Sequence, residues 1–291
     1  MQKSTLINLL NIDEDQYDTY NKVLKNLNIE FSSIYFPFIE SKDLLPVSFY
    51  SYYPVVFQDF FNFSKKEVLH FIDLSHFHFI CLFILDKLYD CNTNEEKLDF
   101  LIMTEMYSHA KSNIFKNIKN DGINVEIQKL YSMNMKSLYD EKYNLDIYKN
   151  IDMNDIELYC TEKYSFAKII ILLFSDVRKI DKNLLKLILH THDKFAIARQ
   201  ILDDLTDYIE DFSENIFNIY LNQLDNTYLQ SKKLNNTELK FYLINYSIKN
   251  FEIIKDILYI YNYTSWYKYI DFYHSEALNL KKDYEDKVKK D

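Results

Sequence analysis

The sequence predicts an all-α protein, and two observations carry that expectation. Glycine and proline are nearly absent: Gly122 is the single glycine, and Pro37, Pro46 and Pro54 are the prolines of 291 residues. Hairpins and the phosphate-binding turns of nucleotide-binding α/β folds need glycine, whereas asparagine, abundant in the connections here, tolerates left-handed turn positions. The second observation is that two segments, Phe77–Leu88 and Ala167–Phe174, are apolar nearly all round. A surface helix shows an apolar stripe; a helix apolar on every side belongs in the middle of a bundle.

Hydrophobic periodicity places a first helix over about 4–27. An irregular stretch, 28–55, holds all three prolines and several aromatic residues. Helices follow near 56–63, 66–90, 94–118, 123–144, 153–177, 182–213, 215–231, 236–261 and 264–289. Ser64 caps the helix that opens with Lys65 and Lys66. Asn94 ahead of Glu95 and Glu96 puts acid at a helix start, where the macrodipole favours it. Asp121-Gly122 is a turn dipeptide. No repeat or low-complexity linker interrupts the chain, so one domain over 1–291 is expected, with an N-terminal segment 1–55 and a helical bundle 56–291.

The net charge is −10, and Arg178 and Arg199 are the two arginines of the chain. A nucleic-acid partner is excluded on that basis, since binding DNA or RNA calls for a basic patch. Cys81, Cys91 and Cys160 form no CxxC pair, which argues against zinc and fits reduced thiols in a cytoplasmic protein. Met1–Leu10 does not read as a signal peptide, and the apolar runs are too short and interrupted for a transmembrane segment.

The strongest chemical signal is the stretch Gln200–Asp211. Asp203, Asp207 and Asp211 stand at i, i+4 and i+8, one ridge of a helix rising about 6 Å per step. Asp204 and Glu210 lie beside them, and no lysine or arginine occurs between residues 200 and 213. Like charges at this spacing repel. A solvated acidic face is the plain explanation; the chemical one is a divalent cation, and carboxylate with phosphate oxygens suits Mg²⁺. A second, weaker pair is Asp86 and Asp90, again i, i+4, at the end of the first apolar segment. Two such ridges on buried helices could face one another, hold several Mg²⁺ ions (Mn²⁺ would serve) and bind a diphosphate. A carbocation left after its departure would need an apolar, aromatic cavity. Phe79 and Phe83 are the cavity candidates, on the turns just before Asp86.

The stretch 200–211 resembles the second aspartate-rich motif of the trans-isoprenyl diphosphate synthases, Q-I-x-D-D-x-x-D, with Asp203, Asp204 and Asp207 on its three aspartates. The overlapping segment from Asp207 to Asp211 is similar to the second motif of squalene and phytoene synthases. Asp86-Lys-Leu-Tyr-Asp90 resembles the first motif, D-D-x-x-D, with Lys87 at its second position. Lys163, forty positions before Asp203, resembles the diphosphate-contacting lysine of the family, although Tyr164 stands where a threonine would follow; Lys168 competes for the role. The resemblance spans about residues 66–213. It implies a single-domain isoprenoid-synthase-type bundle around a central cavity, with Asp86, Asp90, Asp203 and Asp207 binding metal, Asp204 and Asp211 supporting them, and Lys163 or Lys168 holding diphosphate. Arg199, four positions before Asp203, either pairs with it or joins the diphosphate contacts.

The Gly-Gly-Lys loop and the paired arginines of chain-elongating synthases have no counterpart here, and neither does the N-S-E metal triad of typical terpene synthases. The resemblance therefore runs closest to synthase-like terpene cyclases: Mg²⁺-dependent ionisation of one allylic prenyl diphosphate, then cyclisation or elimination. The alternatives are a prenyltransferase joining two prenyl units, by chain elongation or head to head, and a non-catalytic helical interaction protein. A homodimer is compatible with either enzyme. His76 and His78, at i, i+2, point to different faces and read as core or cavity lining. His192-Asp193 is the dipeptide of HD-type phosphohydrolases and by itself carries little.

Overall fold

The computed structural model describes residues 2–35, 49–90, 96–143, 151–224, 229–230 and 234–288, leaving aside the side chains of 34–35, 84, 86–90 and 96–103. Among the described residues every regular element is helical. In chain order these are α1 (Lys3–Leu10), α2 (Glu14–Tyr35), a 3₁₀ turn (Phe49–Tyr52), α3 (Tyr53–Val56), α4 (Gln58–Phe61), α5 (Lys65–Asp90), α6 (Glu96–Lys116), α7 (Asp121–Tyr143), α8 (Met153–Lys163), α9 (Ser165–Val177), α10 (Lys182–Glu214), α11 (Ile219–Asn222), α12 (Thr237–Ile257), a 3₁₀ turn (Tyr259–Tyr261) and α13 (Ser265–Val288). No described helix is long and apolar enough to cross a membrane.

Several expected boundaries move, each for a local reason. The first helix is two, because Asn11 turns left-handed (φ 53°) and Asp13 and Gln16 exchange side-chain bonds with each other's backbone N–H at 2.7 and 3.0 Å, restarting the helix. Residues 28–35, expected to be irregular, continue α2. The expected helix 56–63 is instead a pair of single turns, closed by Asn62 at φ 50°. Helix 153–177 breaks at Tyr164 (φ −86°, ψ 7°). The 215–231 helix reduces, within the described residues, to the single turn α11, because Asn215 ends α10 left-handed and Asn218 caps the next turn at 3.1 Å. Asp121-Gly122 is the first turn of α7 rather than a loop: the Asn120 side chain accepts from Gly122 N and Ile123 N at 2.8 and 3.3 Å. The Ser64 cap forms as expected, reinforced by Glu67, which accepts from Ser64 N at 2.9 Å. Asn94 and Glu95 lie outside the described residues, as does Cys91.

Contacts group the chain into two compact units. The first comprises 1–126, 170–180 and 264–266. Its axis is α5, and the apolar segments read from the sequence are buried where their side chains are described, apart from the half-buried Phe83; residues 170–174 of the second segment lie in this unit and 167–169 in the other. Phe31 stacks on Phe77 with ring centres 4.2 Å apart, over Ile80, Cys81, Met106 and Ala110. Phe63, Phe71 and Phe174 form a second aromatic knot, with centroids 4.8–5.2 Å apart. His76 is a core histidine: Ser51 Oγ and Asn28 Oδ1 each lie 2.7 Å from a ring nitrogen, and burial pushes its pKa down to about 4.

The second unit comprises 127–169, 181–263 and 267–291. Helix α10 packs on α12, α8 and α11. Ser247 of α12 donates to the Ala198 carbonyl at 2.8 Å. Glu157 of α8 accepts from Lys194 at 3.1 Å and Tyr246 at 2.6 Å, joining three helices through one carboxylate.

Candidate functional site

The acidic ridge lies on the last three turns of α10, within the second unit. The helix is held open to that length by caps at both ends. Asp181 accepts from Asn183 N at 2.8 Å and Leu184 N at 3.2 Å, and Asn215 closes the other end at φ 56°. Asp203 is half-buried and ion-paired with Arg199, whose guanidinium sits 5.2 Å from the centre of the Tyr273 ring. Burial pushes the Asp203 carboxyl up, and the neighbouring Asp207 charge adds to this, against the opposing pull of Arg199. Asp207 is exposed. Asp211 is half-buried, accepts from Asn218 Nδ2 at 2.7 Å, and is likewise pushed up, by burial first and then by Asp207.

Asp204 differs from the other three. It is 4 % exposed and turned into the unit. One carboxyl oxygen accepts from Gln200 Nε2 and the other from Ile219 N, both at 2.6 Å, while its carbonyl accepts from Asn218 Nδ2 at 2.9 Å. Burial pushes the carboxyl up to about 8, against the pull of Lys163 and these two donors. One oxygen thus anchors α11 to α10, while the other is held by Gln200 one turn earlier on α10 itself.

Of the proposed diphosphate contacts, Lys163 enters this cluster. Its ammonium donates to Glu141 Oε1 at 2.7 Å and to Tyr159 OH at 3.3 Å. Its charge also acts on Asp203, Asp204 and Asp211, opposing the rise that burial causes in each. Lys168 is instead ion-paired with Asp193, and its charge acts on the buried His192, whose pKa falls to about 3 chiefly through burial. Phe79 is fully buried against Tyr50 and Tyr53, and Phe83 lies 5.9 Å from Tyr50, both in the first unit. Asp86 and Asp90 fall on the last turns of α5, but their side chains lie outside the described residues.

Glu141 is the site residue that sequence reasoning passes over. It carried a signal: Ile127, Tyr131, Asn134, Leu138 and Glu141 recur at spacings of three and four along α7, and all are buried. A carboxylate in that series must find a partner inside, and it finds Lys163.

Mg²⁺ is the metal the resemblance implies. Among the described residues no three His, Cys, Asp or Glu side chains converge as a group able to hold a metal ion. The donor chemistry nevertheless fits Mg²⁺, which is bound by one or two carboxylates together with water and substrate phosphate rather than by an all-protein cage. Asp203 with Asp207, or Asp207 with Asp211, at i, i+4 on α10, would be such a pair. Comparison with protein-family models, curated protein sequences and solved structures returns no match.

Proposed function

We propose that this chain is a class I isoprenoid enzyme, a terpene synthase that ionises an allylic prenyl diphosphate and completes the reaction by cyclisation or elimination, releasing diphosphate. It takes the chain as one isoprenoid-synthase-type domain with a central cavity. The observation that supports it is the packing of α8, which ends at Lys163, against α10, which carries the acidic ridge. A lysine and an aspartate run forty residues apart in sequence share one electrostatic cluster, and those are the two elements that the resemblance pairs around a diphosphate.

Asp203, Asp207 and Asp211 would hold Mg²⁺, which when bound neutralises the leaving diphosphate. Arg199 carries positive charge one turn before Asp203 on the same ridge, and the Lys163 charge acts on the ridge from α8. Glu141 and Tyr159 fix the Lys163 ammonium, and Tyr273 lies against the Arg199 guanidinium, so neither cation has to be ordered when an anion arrives. Asp204 holds the floor of the site by tying α11 in place. Asp86 and Asp90 join the reading on the strength of their sequence motif.

One observation favours the non-catalytic reading: Lys163 and Arg199 already have carboxylate partners. Diphosphate release from geranyl, farnesyl and geranylgeranyl diphosphate, each supplied alone, separates the two. The expected result is release that requires Mg²⁺ or Mn²⁺ and yields a hydrocarbon or alcohol. Release undiminished by excess chelator, or no release from any of the three, would sink the proposal. Strict dependence on added isopentenyl diphosphate would identify a chain-elongating prenyltransferase instead.

A further inference from the structure

The connection after α12 gathers exposed apolar side chains in a segment without charge. Between Asp256 and Lys268 the sequence has no charged residue. A comparable aromatic run, Tyr52 to Phe57, is buried throughout. In the connection Leu258, Thr264, Ser265 and Trp266 are buried, while Tyr259 and Ile260 are each 71 % exposed and Tyr263 is 60 % exposed. The tip is built rather than frayed. A 3₁₀ turn over Tyr259–Tyr261 closes with Tyr261 N donating to the Leu258 carbonyl at 2.7 Å. Below it, Lys255 is bonded to Asp271 at 2.5 Å and lies 3.4 Å from His274 Nδ1.

We propose that the tip Tyr259–Ile260–Tyr263 is a membrane-surface anchor that inserts into the interface of an uncharged, zwitterionic bilayer. Three arguments select this occupant. Tyrosine has an apolar ring and a polar end, and it concentrates at the headgroup level of bilayers for that reason. The three residues offer on the order of 400 Å², about half of the ~800 Å² per partner that a stable protein–protein interface buries, whereas interfacial insertion needs only a few apolar side chains and a shallow depth. Charge selects the lipid. Lys255, the cation nearest the tip in sequence, is already spent on Asp271, and the chain carries a net charge of −10. The net charge makes an anionic surface repel the molecule as a whole. This inference stands apart from the proposed chemistry: it uses no residue of the α10 ridge.

The test is co-sedimentation of the full chain with phosphatidylcholine vesicles. The wild-type chain should bind, and Tyr259→Ser/Ile260→Ser/Tyr263→Ser should bind at least about tenfold more weakly, since most of the buried apolar area is removed. The three positions are exposed, so circular dichroism melts of the variant should match the wild type, and Tyr263→Ser alone should show an intermediate loss of binding. Replacing a third of the lipid by phosphatidylserine should weaken binding at low salt. Absence of binding to phosphatidylcholine, or equal binding by wild type and triple variant, would overturn the proposal. So would binding strengthened by phosphatidylserine. Concentration-dependent self-association in sedimentation velocity, abolished by the triple variant, would reassign the tip to a contact between two copies of the chain.

Discussion

At the scale of the residue, the four aspartates of α10 separate into two kinds by what their oxygens touch. Asp207 is exposed and shares its ridge with two half-buried carboxylates, so Asp207→Asn should leave stability unchanged or slightly raised, because it relieves i, i+4 repulsion. Diphosphate release, on the proposed reading, should fall by about 10²–10³-fold, as for loss of one electrostatic stabiliser of developing charge. Asp204→Asn should show the opposite balance. An asparagine places an amide NH₂, a donor only, where one of the two carboxyl oxygens now faces the donor Gln200 Nε2 or Ile219 N. An unmet buried donor costs about 1–3 kcal/mol, measurable by urea unfolding at pH 6. Asp90→Asn in the same release assay tests the first motif; near-native activity there would remove Asp86 and Asp90 from the site. The ridge was legible because i, i+4 spacing is a local property of one helix. The anchoring role of Asp204 was not, since it depends on Asn218 and Ile219 folding back beneath it. Lys163 was legible only by resemblance, and its partner Glu141 became visible once α7 and α8 were packed.

At the scale of the element, helix length was easier to read than helix ends. The long apolar segments of α5 and α9 announce burial through composition alone. The ends rest on single side chains. The Asp13–Gln16 exchange that splits the first helix is a readable D-x-x-Q pattern, yet the continuous apolar periodicity on both sides masks it. Among the described residues the non-glycine positions at positive φ are Asn11, Asn62 and Asn215, so asparagine closes helices that glycine would close in a richer composition. Asn215→Val should therefore destabilise the protein by roughly 1–2 kcal/mol, because a β-branched residue is forced into the left-handed region, while Asn215→Gly should be neutral or mildly stabilising. Thermal melts of the two variants give the comparison directly.

At the scale of the whole molecule, the buried ionisable groups set how stability responds to pH. The Asp204 carboxyl keeps its proton in the folded chain up to about 8, whereas an unfolded aspartate ionises near ~3.9. The folded state thus binds one proton more across that window, and stability falls as pH rises through it. His76 and His192, neutral when folded, act in the opposite sense below ~6.5. The Asp204 contribution is therefore cleanest between pH 6.5 and 8. Over that interval the wild type should lose roughly 1–2 kcal/mol, one proton corresponding to about 1.4 kcal/mol per pH unit, and Asp204→Asn should be nearly flat. Equal slopes for the two proteins in urea titrations at pH 6.5, 7.25 and 8 would show that Asp204 is ionised when folded.

The cap at the start of α7 has a consequence for covalent ageing. Gly122 makes Asp121–Gly122 the one aspartyl–glycyl bond of the chain, the pairing most prone to spontaneous isomerisation because nothing shields the following amide nitrogen from the aspartyl side chain. Here that nitrogen is turned the other way: its N–H points to Asn120 Oδ1 at 2.8 Å and the bond lies in a helical turn. The attack that would form a succinimide needs the nitrogen to swing out of this turn towards the Asp121 carboxyl. The native fold thus protects its most fragile peptide linkage, and isoaspartate at position 121 should accumulate in proportion to the time the chain spends with the start of α7 unwound.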